Sequence, residues 1–209
     1  MAGQASVAAD LRSRPTLGVP VRLQHVLIIG AALVLALTGL PQRLDFLPPS
    51  RWVMDAAGGI ESLRTIHRGA GAVLIGAGLY HAVFVFFSVL ANRRVAPLTM
   101  IPDARDYRDA ILSVLYFTGM RPQRPALREP TYFQKLDYWV LAWGITAMGV
   151  TGIIRLFPAR ITALLGGDVV AAALEFHSDV ALLAVVWLVV IHLAYPALTP
   201  HRHEPESGE

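Results

Sequence analysis

Apolar residues in this chain gather in four long runs, at about 21–40, 66–90, 138–157 and 169–197. Each reaches the roughly 20 residues needed to cross the hydrocarbon core of a bilayer. Within lipid a backbone must satisfy its own hydrogen bonds, so each run is expected to be a helix. The pattern predicts an all-α integral membrane four-helix bundle over residues 21–200, with cytoplasmic tails at 1–20 and 201–209. The fourth run carries Glu175, His177 and Asp179 near its start. It is expected to become intramembrane only around Val180. The first run follows a basic stretch, as a secretory leader would, but is long and shows no Ala-x-Ala site. It reads as a retained helix.

The longest polar interval, 91–137, is bracketed by Pro97, Pro102, Pro122, Pro125 and Pro130. Inside it, a charged stretch from Asp103 to Asp109 leads into apolar residues whose members 111, 112, 115 and 116 share one helical face. That is the signature of an interfacial helix, at about 103–118, lying on the membrane surface. Two roles fit it: packing over the mouth of the bundle, or forming a lid beside a quinone pocket.

Composition agrees with the membrane assignment. Mean hydropathy is +0.51, and 16% of residues are charged, against roughly 25% in soluble domains. Of the 18 basic residues, twelve lie in the segments that would be cytoplasmic with both termini inside, and six in the others. The positive-inside rule therefore favours cytoplasmic termini. The sequence pI near 9.6 then reflects a face turned toward anionic lipid, and nothing indicates nucleic acid. There is no cysteine, which excludes disulfides, cysteine-held iron–sulfur clusters, c-type haem and thiolate chemistry. Phosphate-binding glycine loops, zinc helices and nucleophile elbows are also missing from the sequence.

The histidines remain to be explained. His67 and His81 are 14 residues apart, and His177 and His192 are 15 apart. On a helix these separations are about 21 and 22.5 Å, returning to nearly the same face with offsets of about 40° and 60°. Two antiparallel helices built this way oppose imidazoles at two levels, as needed to hold two stacked haems by axial histidine pairs. His25, near the start of the first run, competes for one of those places. Ionisable groups at membrane depth are costly and usually functional. Neutral imidazole on both axial positions suits electron transfer. His201 and His203 lie in the polar tail and read as solvated. Gly69, Gly71, Gly76 and Gly78 crowd the second helix, where small residues admit a neighbouring helix or a flat macrocycle.

Two other readings follow from the same residues. A haem-retaining structural anchor would carry the ligands without using them. A haemless, histidine-lined proton or metal transporter would require carboxylates at depth, and the first three runs have none in their middles.

Several short motifs carry a family resemblance. Arg22-x-x-His25 precedes Leu35-Ala36-Leu37-Thr38-Gly39-Leu40 in the first run; Ile66-His67-Arg68-x-x-Gly71 opens the second. Tyr132-Phe133-Gln134-Lys135-Leu136-Asp137-Tyr138-Trp139 opens the third, Thr151-Gly152 closes it, and the fourth holds His177-Ser178 and His192-Leu193-Ala194-Tyr195. Together they resemble the cytochrome b (gamma) subunit of respiratory formate dehydrogenases and the related membrane anchors of hydrogenases and thiosulfate reductases. The resemblance spans nearly all of residues 20–200.

That resemblance implies two b haems and quinone as substrate. It implies an extracytoplasmic iron–sulfur or multihaem cytochrome partner and a bacterial inner membrane location. His67 and His177 would ligate the outer haem; His25 and His192 would ligate the inner one. His81, at the same level, is the alternative inner ligand, since its spacing from His67 resembles the pairing in cytochrome b of bc-type complexes. Arg22 and Arg68 are candidates for haem propionates, with Gly71 and Gly78 as haem contacts. Tyr132, Lys135 and Asp137 are candidates for quinone contact or proton delivery.

Overall fold

A computed structural model describes residues 19–91 and 99–191. Its seven helices, in chain order, are α1 (Val19–Arg43), α2 (Pro48–Ala56), α3 (Ile60–Ala91), α4 (Ala104–Phe117), α5 (Tyr132–Leu156), α6 (Pro158–Leu165) and α7 (Gly167–Val189). No strand occurs among the described residues. Four helices are long and apolar enough to cross a membrane: Arg22–Arg43, Ile60–Leu90, Tyr132–Leu156 and Gly167–Val189. The expected spans are all present. Each helix starts before its apolar run, at 19, 60, 132 and 167, and the end of the fourth run lies outside the described residues. Thus α7 begins well before Val180 and carries Glu175, His177 and Asp179 within its helical length.

Packing closes the spans into a ring. α1 lies against α3 and α7, and α5 also lies against α3 and α7, so α3 and α7 face each other diagonally. We call the end holding Val19 and Tyr132 the near end, and that holding Arg43, Ile60 and Gly167 the far end. The buried apolar residues are Ala31, Leu63, Ala77 and Ala173, whereas large side chains such as Leu37, Phe86, Leu183 and Val186 are exposed. Lipid is as apolar as leucine, so spans associate through small residues and polar contacts and turn their bulk outward. Polar side chains accordingly occupy the interior, including Gln24, Thr38, Thr131 and Lys135.

Glycines set the closest helix approach. A Cβ at Gly78 of α3 would lie 2.9 Å from Ile145 of α5, and one at Gly149 of α5 would lie 3.3 Å from Ile75 of α3. Gly78 therefore seats an isoleucine of a neighbouring span in this structure. Gly71 faces Leu35 of α1.

At the far end, two short helices join the spans. α2 opens with Pro48 and Pro49 and α6 with Pro158, where the missing N–H costs nothing and the fixed φ suits a first turn. Gly59, at φ +97°, precedes α3 and Gly166, at φ +90°, precedes α7. These two helices were not anticipated from the hydrophobic pattern, because each is shorter than the window that pattern uses. Arg43, ending α1, pairs with Asp179 of α7 at 2.8 Å, which gives the carboxylate inside α7 a counter-charge.

A helix does occupy the charged-to-apolar stretch of the long polar interval, as α4. Asp103 caps it, accepting from Arg105 and Asp106 N–H, and Asp106 returns a bond to the Asp103 N–H. Ser113 is buried, Asp106 and Asp109 are largely covered, and Tyr107, Ile111, Val114 and Phe117 project outward. The polar face docks because Lys135 of α5, 3% exposed, lies 2.7 Å from Asp106 and 3.8 Å from Asp103, and reaches the Ile101 carbonyl at 3.3 Å. A buried ammonium requires such partners. Covering raises the Asp106 carboxyl's pKa, but the hydrogen bonds from Lys135 and the Asp103 N–H, with the Lys135 and Arg128 charges, together outweigh it and hold the group below the usual carboxylate range.

Candidate functional site

His67 of α3 and His177 of α7 meet across the diagonal, near the far end, with ring centroids 6.4 Å apart and planes at 69°. Each ring is held by the span preceding its own. Thr38 Oγ1 of α1 lies 2.9 Å from His67 Nδ1, and Thr151 Oγ1 of α5 lies 2.9 Å from His177 Nδ1.

These bonds fix the tautomer. A threonine hydroxyl has one hydrogen to give. Thr38 donates it to the Val34 carbonyl at 2.7 Å, and Thr151 to the Ala147 carbonyl at 2.8 Å. Both hydroxyls must then accept from Nδ1–H, which leaves the lone pair of each ring on Nε2. Neither Nε2 has a hydrogen-bond partner among the described residues.

The residue after each threonine is glycine, and it makes room for the ring. A Cβ at Gly39 would lie 3.1 Å from His67 Cε1, and one at Gly152 would lie 3.5 Å from His177 Cε1. The Thr-Gly pair thus recurs with one geometry in two halves of the chain, α1–α2–α3 and α5–α6–α7. Each half is a span, a short proline-led helix, and a span whose histidine toward the far end takes that contact.

A second polar cluster lies toward the near end. His81 Nδ1 is 2.8 Å from Gln24 Oε1 of α1, and its Nε2 is 3.2 Å from the Tyr138 hydroxyl of α5. The amide oxygen can only accept, so His81 donates from Nδ1 and accepts from Tyr138. Unlike His67 and His177, His81 has both ring nitrogens engaged by protein groups.

The other sequence candidates are distributed as follows. His25 is exposed beside buried Gln24; Arg22 and Arg68 are also exposed. His192 lies outside the described residues, as do His201 and His203. Lys135 is committed to α4, as above. Asp137 accepts from the Trp187 indole N–H at 2.8 Å, and that ring stacks on Phe133 at 6.4 Å. Tyr132 packs edge-on against Phe133. Sequence reading missed Thr38 and Thr151 as partners of the histidines, although both were noted as family motifs. It also missed Arg155, one turn beyond Thr151 on the same face of α5. Its charge acts on both imidazoles, and it has no ion-pair partner among the described residues. The helical i, i+4 relation to Thr151 was the available signal.

Two imidazoles that meet across a bundle of spanning helices, each with Nδ1 held and Nε2 without a protein partner among the described residues, are what a membrane protein of the cytochrome b class presents. Residues 16–206 match the family model for prokaryotic cytochrome b561, and the chain belongs to that family. No curated protein matches the chain.

The family binds haem b, and the residues present fit that group. Two metal–imidazole bonds of ~2.0 Å and two ring radii of ~1.15 Å separate the centroids of rings opposed across one iron by about 6.3 Å. The observed separation is 6.4 Å. No group of three or more His, Cys, Asp or Glu able to hold a metal occurs among the described residues. A porphyrin iron needs only two axial protein ligands, so a pair is sufficient.

Proposed function

We propose that this chain is the di-haem membrane subunit of a respiratory oxidoreductase in a bacterial inner membrane, similar to the gamma subunits of formate dehydrogenases. It passes electrons between an extracytoplasmic iron–sulfur or multihaem cytochrome subunit and the quinone pool. Both termini are cytoplasmic, so the far end faces outward and the near end inward. The observation that carries the reading is the His67–His177 pair, with both Nδ1 atoms occupied and both Nε2 atoms left for iron.

His67 and His177 hold the outer haem, and Arg155 is better situated than Arg68 to meet its propionates. His25 and His192 hold the inner haem. The support for His25 over His81 is chemical: His81 already spends both nitrogens on Gln24 and Tyr138, whereas His25 has no such bonds among the described residues. When bound, the two haems supply one-electron relay centres at the two membrane levels. The protein's own part is to fix ligand tautomers, exclude water from the ligand pair, and present donors to a quinone at the near end.

The test is a pyridine haemochrome count on purified wild type and on His177→Ala, His25→Ala and His81→Ala. Two b haems are expected in the wild type, one in His177→Ala, one in His25→Ala and two in His81→Ala. Loss of a haem in His81→Ala alone of the last two would move the inner haem to His81. A folded wild type that takes up no haem would end the electron-transfer reading.

A further inference from the structure

Three polar side chains from three different spans meet near the inward end, and the ligand set proposed above leaves them unused. Gln24, His81 and Tyr138 are linked by bonds of 2.8 and 3.2 Å, with the His81 and Tyr138 rings edge-on at 5.9 Å. Polar groups at membrane depth are costly and are usually retained for function. This cluster is also incomplete. Gln24 is 4% exposed, and its Nε2 is buried without a hydrogen-bond partner. Reversing the amide would not help, because one of its two polar atoms would still lack a partner. As assigned, the cluster holds more donors than acceptors. That unpartnered donor lies on the buried side of the cluster, away from the His81–Tyr138 edge.

The pieces differ in accessibility. Gln24 is sealed behind, while His81 and Tyr138 are each part-exposed on the bundle. Gln24 acts on His81 by taking its Nδ1–H, which turns the Nε2 lone pair toward Tyr138. A phenol donor and an imidazole acceptor then stand side by side, joined by the longest bond in the cluster, 3.2 Å. That weak bond is the one a ligand exchanges at least cost.

From this juxtaposition we infer that His81 and Tyr138 form a quinone head-group site, with Gln24 as the positioning residue behind it. A quinone carbonyl accepts from the Tyr138 hydroxyl. A quinol hydroxyl, which both donates and accepts, matches His81 Nε2 and Tyr138 together. Quinone takes the Tyr138 hydrogen away from His81 Nε2, whereas quinol gives that nitrogen a donor in return, so without a change of tautomer the site favours the quinol. The residues first suspected of this role, Lys135 and Asp137, are already held in protein bonds. The inference rests on the quinone-linked reading above and gives that reading its contact residues.

The test uses the full-length, haem-loaded protein in liposomes, with decylubiquinol and a naphthoquinol as probes. Haem content, quinol-driven haem reduction and dithionite reduction are measured for wild type, Tyr138→Phe and Gln24→Met. Both variants are expected to keep the wild-type haem count and dithionite spectrum. Tyr138→Phe should raise the apparent KM for quinol about tenfold, and Gln24→Met should raise it less. Wild-type KM in Tyr138→Phe, whether or not Gln24→Met folds, overturns the site. Loss of a haem in Tyr138→Phe overturns it too, by making His81 a ligand. A fully haem-loaded wild type that neither quinol reduces refutes the quinone-linked function, and this site with it.

Discussion

The Thr38 and Thr151 hydroxyls make a prediction in which sign, size and control are all set by the structure. Each accepts Nδ1–H from one of the two histidines proposed as ligands, at 2.9 Å, and each has already given its own hydrogen to a helix carbonyl. Accepting that proton makes the imidazole a more basic ligand. A more basic axial ligand favours the ferric state, so removing the acceptor should raise the outer haem's midpoint potential. Thr→Val keeps the shape and deletes the oxygen. A hydrogen bond of this kind contributes about 0.5–1.5 kcal/mol net. If about half of that distinguishes ferric from ferrous iron, each substitution shifts a one-electron couple by roughly 10–35 mV. The two threonines touch different rings, so Thr38→Val/Thr151→Val should shift the potential by about the sum. Spectroelectrochemical titration of the purified protein gives the measurement. Thr→Ser at each position should return the potential toward wild type, since it keeps the acceptor. The inner haem supplies an internal control and should not move. A haem-replete double variant with an unchanged outer potential, or one shifted downward, would refute the assignment of these hydroxyls as acceptors.

Other predictions follow from the glycines and from α4. Gly39→Ala should disturb the outer haem and Gly152→Ala should not, because the added Cβ would be 3.1 Å from one ring and 3.5 Å from the other; haem retention after size-exclusion chromatography in detergent separates them. Gly78→Ala places a Cβ 2.9 Å from Ile145 and should destabilise the α3–α5 contact by about 1–3 kcal/mol, read as a lower thermal midpoint with the haem spectrum unchanged before unfolding. Asp106→Asn weakens the attachment of α4 to Lys135, so hydrogen exchange in Ala104–Phe117 should accelerate while the spans stay protected. The Asp106 pKa is depressed in the folded protein, so its contribution is present above the usual carboxylate pKa and lost as pH falls through the lowered value. Exchange in α4 should therefore be slow at neutral pH and rise only in strong acid; a rise centred on neutrality would contradict the pairing.

Much of this protein is legible in its sequence. Lipid imposes one rule on the backbone, internal hydrogen bonding, so the four apolar runs could only be helices. The histidine spacing followed from helical geometry, which is local. The capping residue Asp103 and the prolines at 48, 49 and 158 also act through their immediate neighbours. What the sequence left open was which side chains meet across helices. It offered three candidates for the near-end level, His25, His81 and His192, without a means of choosing between the first two. It marked out α4 without saying what its polar side meets, which is Lys135 of α5, while Ile111, Val114 and Phe117 face outward. It left Gly78 open to a neighbouring helix or a macrocycle, and Ile145 of a neighbouring span lies against it.

The sequence by itself determined the four apolar helices, the lack of cysteine among these residues and the placing of His67 and His177 toward one end of their helices, because those depend on composition and a fixed helical pitch. Only the tertiary structure decided that α3 and α7 stand diagonally, that each of their histidines is gripped by a Thr-Gly pair from the preceding span, and that His81 is spoken for by Gln24 and Tyr138. Those facts depend on how far each helix is rotated about its own axis. That rotation is set by the summed packing of small residues along all four spans, and no single motif encodes it.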